Sequence, residues 1–132
     1  MSSEDLHIPR ERLSKSARLL HYAITSLKEE LDAVDWYRQR ADDTEDDELR
    51  HVLLHNMREE MEHASMLIEW IRRNNEDFAG HIATYLYAKG SLLQVEKQAE
   101  ESDVSDRAGT GDESASSSRA KRRFTIGPLS DS

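Results

Sequence analysis

The chain has 132 residues, 34% of them charged and 6% aromatic, with 5 Gly and 2 Pro, a balance that suits one helical domain better than a sandwich or barrel. It has no Cys, which excludes disulfides and thiolate metal sites and leaves oxygen and imidazole as the only strong metal ligands. The net charge of −9 falls within residues 1–101, because residues 102–132 carry five acidic and five basic side chains; an acidic body repels nucleic acid and draws in cations, besides keeping a chain soluble.

A first long helix is expected from about Pro9, a good first-turn residue, to about Ala41. Along it Leu13, Ala17, Leu20, Ile24, Leu27, Leu31 and Val34 recur at alternating steps of four and three, a heptad seam that needs a partner helix. Asp42 and Asp43 break the pattern, and Thr44-Glu45-Asp46-Asp47 reads as a capping box opening a second long helix. That helix runs to the Arg72-Arg73-Asn74-Asn75 cluster, which places cations and Asn at a helix C-terminus. A shorter helix is expected from about Glu76 to Ala88, ended by Gly90, and a last one from the Ser91-Leu92-Leu93-Gln94 box to about Glu101. Two long and two short helices cannot close a four-helix core alone, whereas two copies can, by pairing their hairpins. The fold class is therefore all-α: two long antiparallel helices plus short C-terminal ones, forming a four-helix bundle only on dimerisation.

From Ser102 the composition turns to Ser, Gly, Asp and Arg, which cannot bury enough apolar surface to order itself. Residues 1–101 are thus the expected helical domain and 102–123 a disordered linker. One apolar island, Phe124-Thr125-Ile126-Gly127-Pro128-Leu129, ends the tether. No stretch approaches the ~20 apolar residues of a membrane span. Met1-Ser2-Ser3-Glu4-Asp5 lacks the basic and apolar segments of a signal peptide, so the cytoplasm is expected.

The residues that carry chemistry are charged ones standing where apolar ones belong. With about 100° per residue, Leu53, Met57, Ala64, Leu67 and Ile71 all fall within about 60° of Glu60, which therefore lies inside the apolar stripe of the second helix. His63 borders the same stripe. On the first helix Glu30 shares its face with Ala23, Leu27, Val34 and Tyr37. A lone buried carboxylate is costly, and a bound cation removes that cost. Di-iron carboxylate bundles take one Glu from each of two helices and a Glu-x-x-His from each of two others. Glu60-Met61-Glu62-His63 is such a motif and Glu30 such a Glu, but the chain holds one set only, so two chains related by a two-fold axis are needed. Oxygen and imidazole donors suit iron, and also Mn, Co or Zn. By itself a Glu-x-x-His occurs often by chance in Glu-rich helices; its place in the stripe, matched by Glu30, sets this one apart.

A second acidic group, Glu29, Asp32 and Trp36, points away from the seam, either as a low-affinity outer cation site or as a solvated face. Tyr37 is placed to hydrogen-bond a ligand or to fill the core. His7, His21, His51, His55 and His81 show no ligand spacing and read as surface or interface residues.

The segments Leu27-Lys28-Glu29-Glu30-Leu31-Asp32-Ala33-Val34-Asp35-Trp36-Tyr37 and His55-Asn56-Met57-Arg58-Glu59-Glu60-Met61-Glu62-His63-Ala64 resemble the encapsulated ferritins, short cargo proteins of encapsulin nanocompartments in the prokaryotic cytoplasm. The resemblance implies a ferroxidase that oxidises Fe(II) to Fe(III) with dioxygen, with a di-iron centre at a subunit interface and dimers assembled into an annular decamer. It implies Glu30, Glu60 and His63 as iron ligands with Tyr37 beside them, and Glu29, Asp32 and Trp36 as the site where metal enters. Asp32 stands where the family commonly has the longer Glu. The terminal island resembles the cargo-loading peptide that docks on the shell, with Phe124 and Pro128 departing from the usual Leu and Ser. Two rival functions are a metal-binding or adaptor protein without turnover and a helical assembly protein whose polar seam sets register.

Overall fold

The computed structural model describes residues 6–108, and these contain four α-helices and no strand. The chain enters through a short 3-10 turn at Arg10–Arg12, with Pro9 before it. The first α-helix begins after that turn: α1 spans Lys15–Asp43 and is capped by Ser14, whose hydroxyl accepts from the Ala17 N–H at 3.1 Å. The sequence expectation of a start near Pro9 is corrected here. Pro9 fits the mouth of a helix of either kind, but only Ser14 offers a side-chain acceptor to the orphan N–H groups of α1.

The second long helix, α2, spans Asp47–Asn74. Its cap is Asp46, whose Oδ1 accepts from the Leu49 N–H at 2.7 Å, while Thr44 Oγ1 accepts from the Asp46 N–H at 3.2 Å. Thr44 thus orders the turn and Asp46 caps the helix, two residues later than the capping-box pattern places it. Asn75 closes α2 and caps α3 (Glu76–Tyr85), accepting from the Phe78 N–H at 2.9 Å, so one residue joins the two helices. α3 stops three residues short of the expected Ala88, because the backbone turns extended at Leu86 (ψ 135°) and Tyr87 then adopts a left-handed φ of 60°. Gly90, at φ 84°, makes the second left-handed step without a Cβ penalty.

Helix α4 spans Leu92–Ala108 and so continues seven residues past the expected end at Glu101. Within 102–108 the residue types tolerate a helix already nucleated upstream, since propagation is far easier than nucleation. Residues 109–132, with the rest of the expected linker and the 124–129 island, lie outside the described residues.

α1 and α2 pack along their length, α3 packs on α2, and α4 touches α3. The buried positions are few and small: Ala23 and Ala41 on α1, and Met57, Ala64 and Ile71 on α2. The α2 stripe read from the sequence does face inward. The α1 seam does not close within one chain: Leu20, Leu27 and Val34 are half-buried, while Ile24 and Leu31 (52% exposed) remain open, as do Leu49, Val52, Met61 and Met66 on α2.

Candidate metal centre

Glu30 projects from the middle of α1, and Glu60 and His63, one turn apart, project from the middle of α2. The antiparallel packing sets them face to face. One ligand atom from each lies within 4.8 Å of the other two, and among the described residues no other three His, Asp or Glu side chains converge in this way. His63 Nδ1 stands 3.2 Å from Glu60 Oε2 and 3.6 Å from Glu30 Oε2. The side chains are 25% (Glu30), 23% (Glu60) and 44% (His63) exposed, so the cluster opens on the uncovered side of the hairpin.

Electrostatics bind the three into one unit. A hydrogen bond with Glu60 holds the Glu30 carboxyl above the usual glutamate range, with burial and the Glu60 charge adding to it. The same bond lowers Glu60. The two carboxyls therefore titrate as a pair, with Glu30 the one that holds its proton more readily. His63 is raised, first by its hydrogen bond to Glu60 and further by the charges of Glu30, Glu60 and Glu59, with Nδ1 facing the Glu60 carboxylate. Two carboxylates and an imidazole nitrogen aimed at one point, with protons filling the place of positive charge, fit a hard or borderline cation.

Other residues singled out from the sequence are placed differently. Tyr37 lies two turns along α1 from Glu30, half-buried, with the Arg40 guanidinium 5.9 Å from its ring centre. Glu29, Asp32 and Trp36 are all exposed on α1, and no third ligand joins the two carboxylates among the described residues. His55, given no role from its spacing, sits 3.7 Å from Glu59 one turn on, both exposed. A groove of about 600 Å³ between α3 and α4 is also acidic (Glu76, Asp77, Glu96, Glu100, Asp103), but its carboxylates do not converge on one point.

A residue that the sequence pattern did not bring out is Arg50. Its Nε donates to the Ala41 carbonyl at 3.1 Å, one terminal nitrogen donates to the Thr44 carbonyl, and the other donates to Asp47 Oδ1 at 2.7 Å. Its signal was slight: a basic residue one turn into a helix N-terminus, where cations are disfavoured unless something else holds them.

The family model described as EncFtn-like matches residues 5–89, a span holding all of α1, α2 and α3. The chain belongs to the EncFtn-like family. It is similar to an encapsulated ferritin-like protein of Rhodospirillum rubrum, with 44% identity over 110 residues that cover 83% of this chain and 74% of that protein. It is also similar to a ferritin-like protein of Thermotoga maritima, with 41% identity over 96 residues, 73% of this chain and 84% of that one. A crystal structure of a Nitrosomonas europaea protein matches the fold with a TM-score of 0.64 at 45% identity, over 66% of this chain and 96% of the other. The resemblance to encapsulated ferritins drawn from the two helical segments is borne out. No described helix of this EncFtn-like chain is long and apolar enough to cross a membrane.

Proposed function

We propose that this chain is half of a ferroxidase, an oxidoreductase that oxidises Fe(II) to Fe(III) with dioxygen as acceptor. The observation that carries the reading is the convergence of Glu30, Glu60 and His63. Fe(II) is the substrate. Glu30 and Glu60 bind it through carboxylate oxygens and His63 through Nδ1, the metal displacing any proton that Glu30 or His63 holds. The carboxylates favour the more highly charged ferric product, and each Fe(II) gives one electron to dioxygen. A second copy, related by a two-fold axis, brings a second Glu30, Glu60 and His63, so that two irons share one pocket and offer dioxygen two electrons together. The apolar side chains left open beside the cluster, Leu31 and Met61 among them, support that second copy.

Tyr37 orients the pocket from α1. Glu29, Asp32 and Trp36 form an outer site at which the metal enters. Dimers assemble into an annular decamer. The 124–129 peptide carries the assembly into an encapsulin nanocompartment of the cytoplasm, whose lumen stores the oxidised iron; the relative's name, encapsulated ferritin-like protein, supports this part. The defining experiment is Fe(II) oxidation in air against a protein-free control. Rates above background that vanish in Glu60→Ala support the ferroxidase, whereas stoichiometric iron binding without acceleration supports a metal-binding protein without turnover. A chain ending at Ala108 should keep the activity and fail to co-purify with shells, and packaging of that shortened chain would place the docking surface on the helices.

A further inference from the structure

The metal cluster is split between two helices, so its geometry depends on their register. Within one chain the packed seam is a weak lock on register. The only buried residues of α1 are Ala23 and Ala41, and a methyl group is a shallow knob that slides easily past its neighbours. At the turn end of the hairpin, Arg50 makes a polar contact between the two helices. Its guanidinium lies on α2, reaches the last turn of α1 through the Ala41 carbonyl, takes in the turn through the Thr44 carbonyl, and is braced on its own helix by Asp47. Helix C-termini leave carbonyls without intrahelical partners, and a cation there is favoured by the helix dipole, so the bridge satisfies two needs of α1 at once. Ala41 itself is 1% exposed, which keeps water from competing for its carbonyl.

In an antiparallel hairpin, residues equally far from the turn lie level. Glu30 precedes Ala41 by eleven residues, and Glu60 follows Arg50 by ten. The clamp and the cluster therefore belong to the same register, the clamp at the turn and the cluster about three turns away. A slip of one residue moves one helix by about 1.5 Å along its axis, whereas ligand sets need placement within about 0.5 Å.

We infer that Arg50 is a positioning residue for the Glu30–Glu60–His63 cluster: its fork across the α1–α2 turn fixes the register at which carboxylates and imidazole meet. The inference rests on the metal-site reading for its purpose and on geometry alone for its mechanism. The fork is required as well as the charge, because a lysine cannot bridge two carbonyls and a carboxylate in one plane.

The test uses the full chain with Co(II) as the probe, together with a metal-free arm. At a temperature where circular dichroism shows wild-type helicity, Arg50→Met should bind Co(II) about 10-fold more weakly or worse, with an altered visible Co(II) spectrum. Arg50→Lys should share the spectral change with a smaller loss, and it carries the test should Arg50→Met fail to fold. In the metal-free arm, the chain's lack of Cys allows Glu30→Cys and Glu60→Cys to be joined by a short bis-maleimide, within-chain products being told from between-chain ones by mass. The within-chain yield should fall severalfold when Arg50→Met is added. Helical Arg50 variants that keep wild-type Co(II) affinity, spectrum and cross-linking would overturn the inference. Efficient cross-linking of the double-cysteine chain that keeps Arg50, together with no Co(II) binding by the wild type, would sink the metal reading instead, leaving the role of Arg50 to be judged on cross-linking.

Discussion

Glu29 and Glu30 are adjacent on α1, yet Glu30 is part of a three-residue cluster against α2, whereas Glu29 stands exposed beside Asp32 and Trp36. One step of about 100° separates them. Inner and outer sets have similar acidic chemistry along α1 and differ in what faces them. Glu30 meets a carboxylate and an imidazole from a second helix; the outer residues share only their own helix. A carboxylate becomes a ligand by company from elsewhere in the fold, and acidity alone does not provide it.

The largest effect that could break this comparison is on activity. Glu30→Ala, Glu60→Ala or His63→Ala should lower Fe(II) oxidation more than about 100-fold. Glu29→Ala or Asp32→Ala should change uptake kinetics by less than about 10-fold and leave bound iron in place. Stopped-flow oxidation together with metal analysis reads both, and equal loss of bound iron in the two groups would erase the distinction between inner and outer sets.

Next in size is assembly. If the inner set is completed by a second copy, Fe(II) should shift the chain toward dimers and larger rings in size-exclusion chromatography with light scattering. The inner-set variants should lose that shift and the outer-set variants keep it. A monomer that is iron-loaded and active would show that the three ligands suffice within one chain.

A smaller effect is in pH. Glu30 and His63 both hold their protons more firmly than usual, so metal must displace them. Binding to the inner set should release protons and weaken as pH falls through and below the usual histidine range, which calorimetry in buffers of different ionisation enthalpy would detect. Proton-neutral binding across that range would mean that the metal does not enter the Glu30–Glu60–His63 cluster.

The smallest expected effect lies at the end of α2, where a carboxylate has close partners but no metal-binding company. Arg72 grips Glu69 at 2.7 and 2.6 Å and Arg73 joins at 3.0 Å, holding its carboxyl down to about 2. A depressed carboxylate contributes stability that is full above its unfolded value and is lost as pH falls toward the folded one. Between about pH 4.5 and 2 the wild type should therefore lose a little more thermal stability than Glu69→Gln, a modest difference because the pair is well exposed. Above that range Glu69 stays charged in both states, and the difference in melting temperature between the two should not vary with pH.

Much of the architecture was legible along the chain. The α2 stripe of Met57, Ala64 and Ile71 reads at helical spacing because a buried face must repeat with the helix. The presence of Glu60 and Glu30 inside apolar faces reads for the same reason. Boundaries read less well: the first long helix starts after Ser14 rather than near Pro9, and Asp46 rather than Thr44 caps the second, since several residues near each start could accept the first N–H groups and local backbone angles choose among them. The extension of α4 to Ala108 escaped composition, because helix propagation depends on what precedes a residue as well as on its type.

The sequence by itself determined which donor types the chain offers, the helix faces that carry Glu30, Glu60 and His63, and that the chain holds one such set, because each follows from periodicity within one helix and from counting. Only the tertiary structure decided that Glu30 meets Glu60 and His63, that Arg40 lies against the Tyr37 ring, and that Arg50 spans the turn. Those are facts of register between two helices. Register is set by contacts between residues distant in the chain, which no periodicity within a single helix can encode.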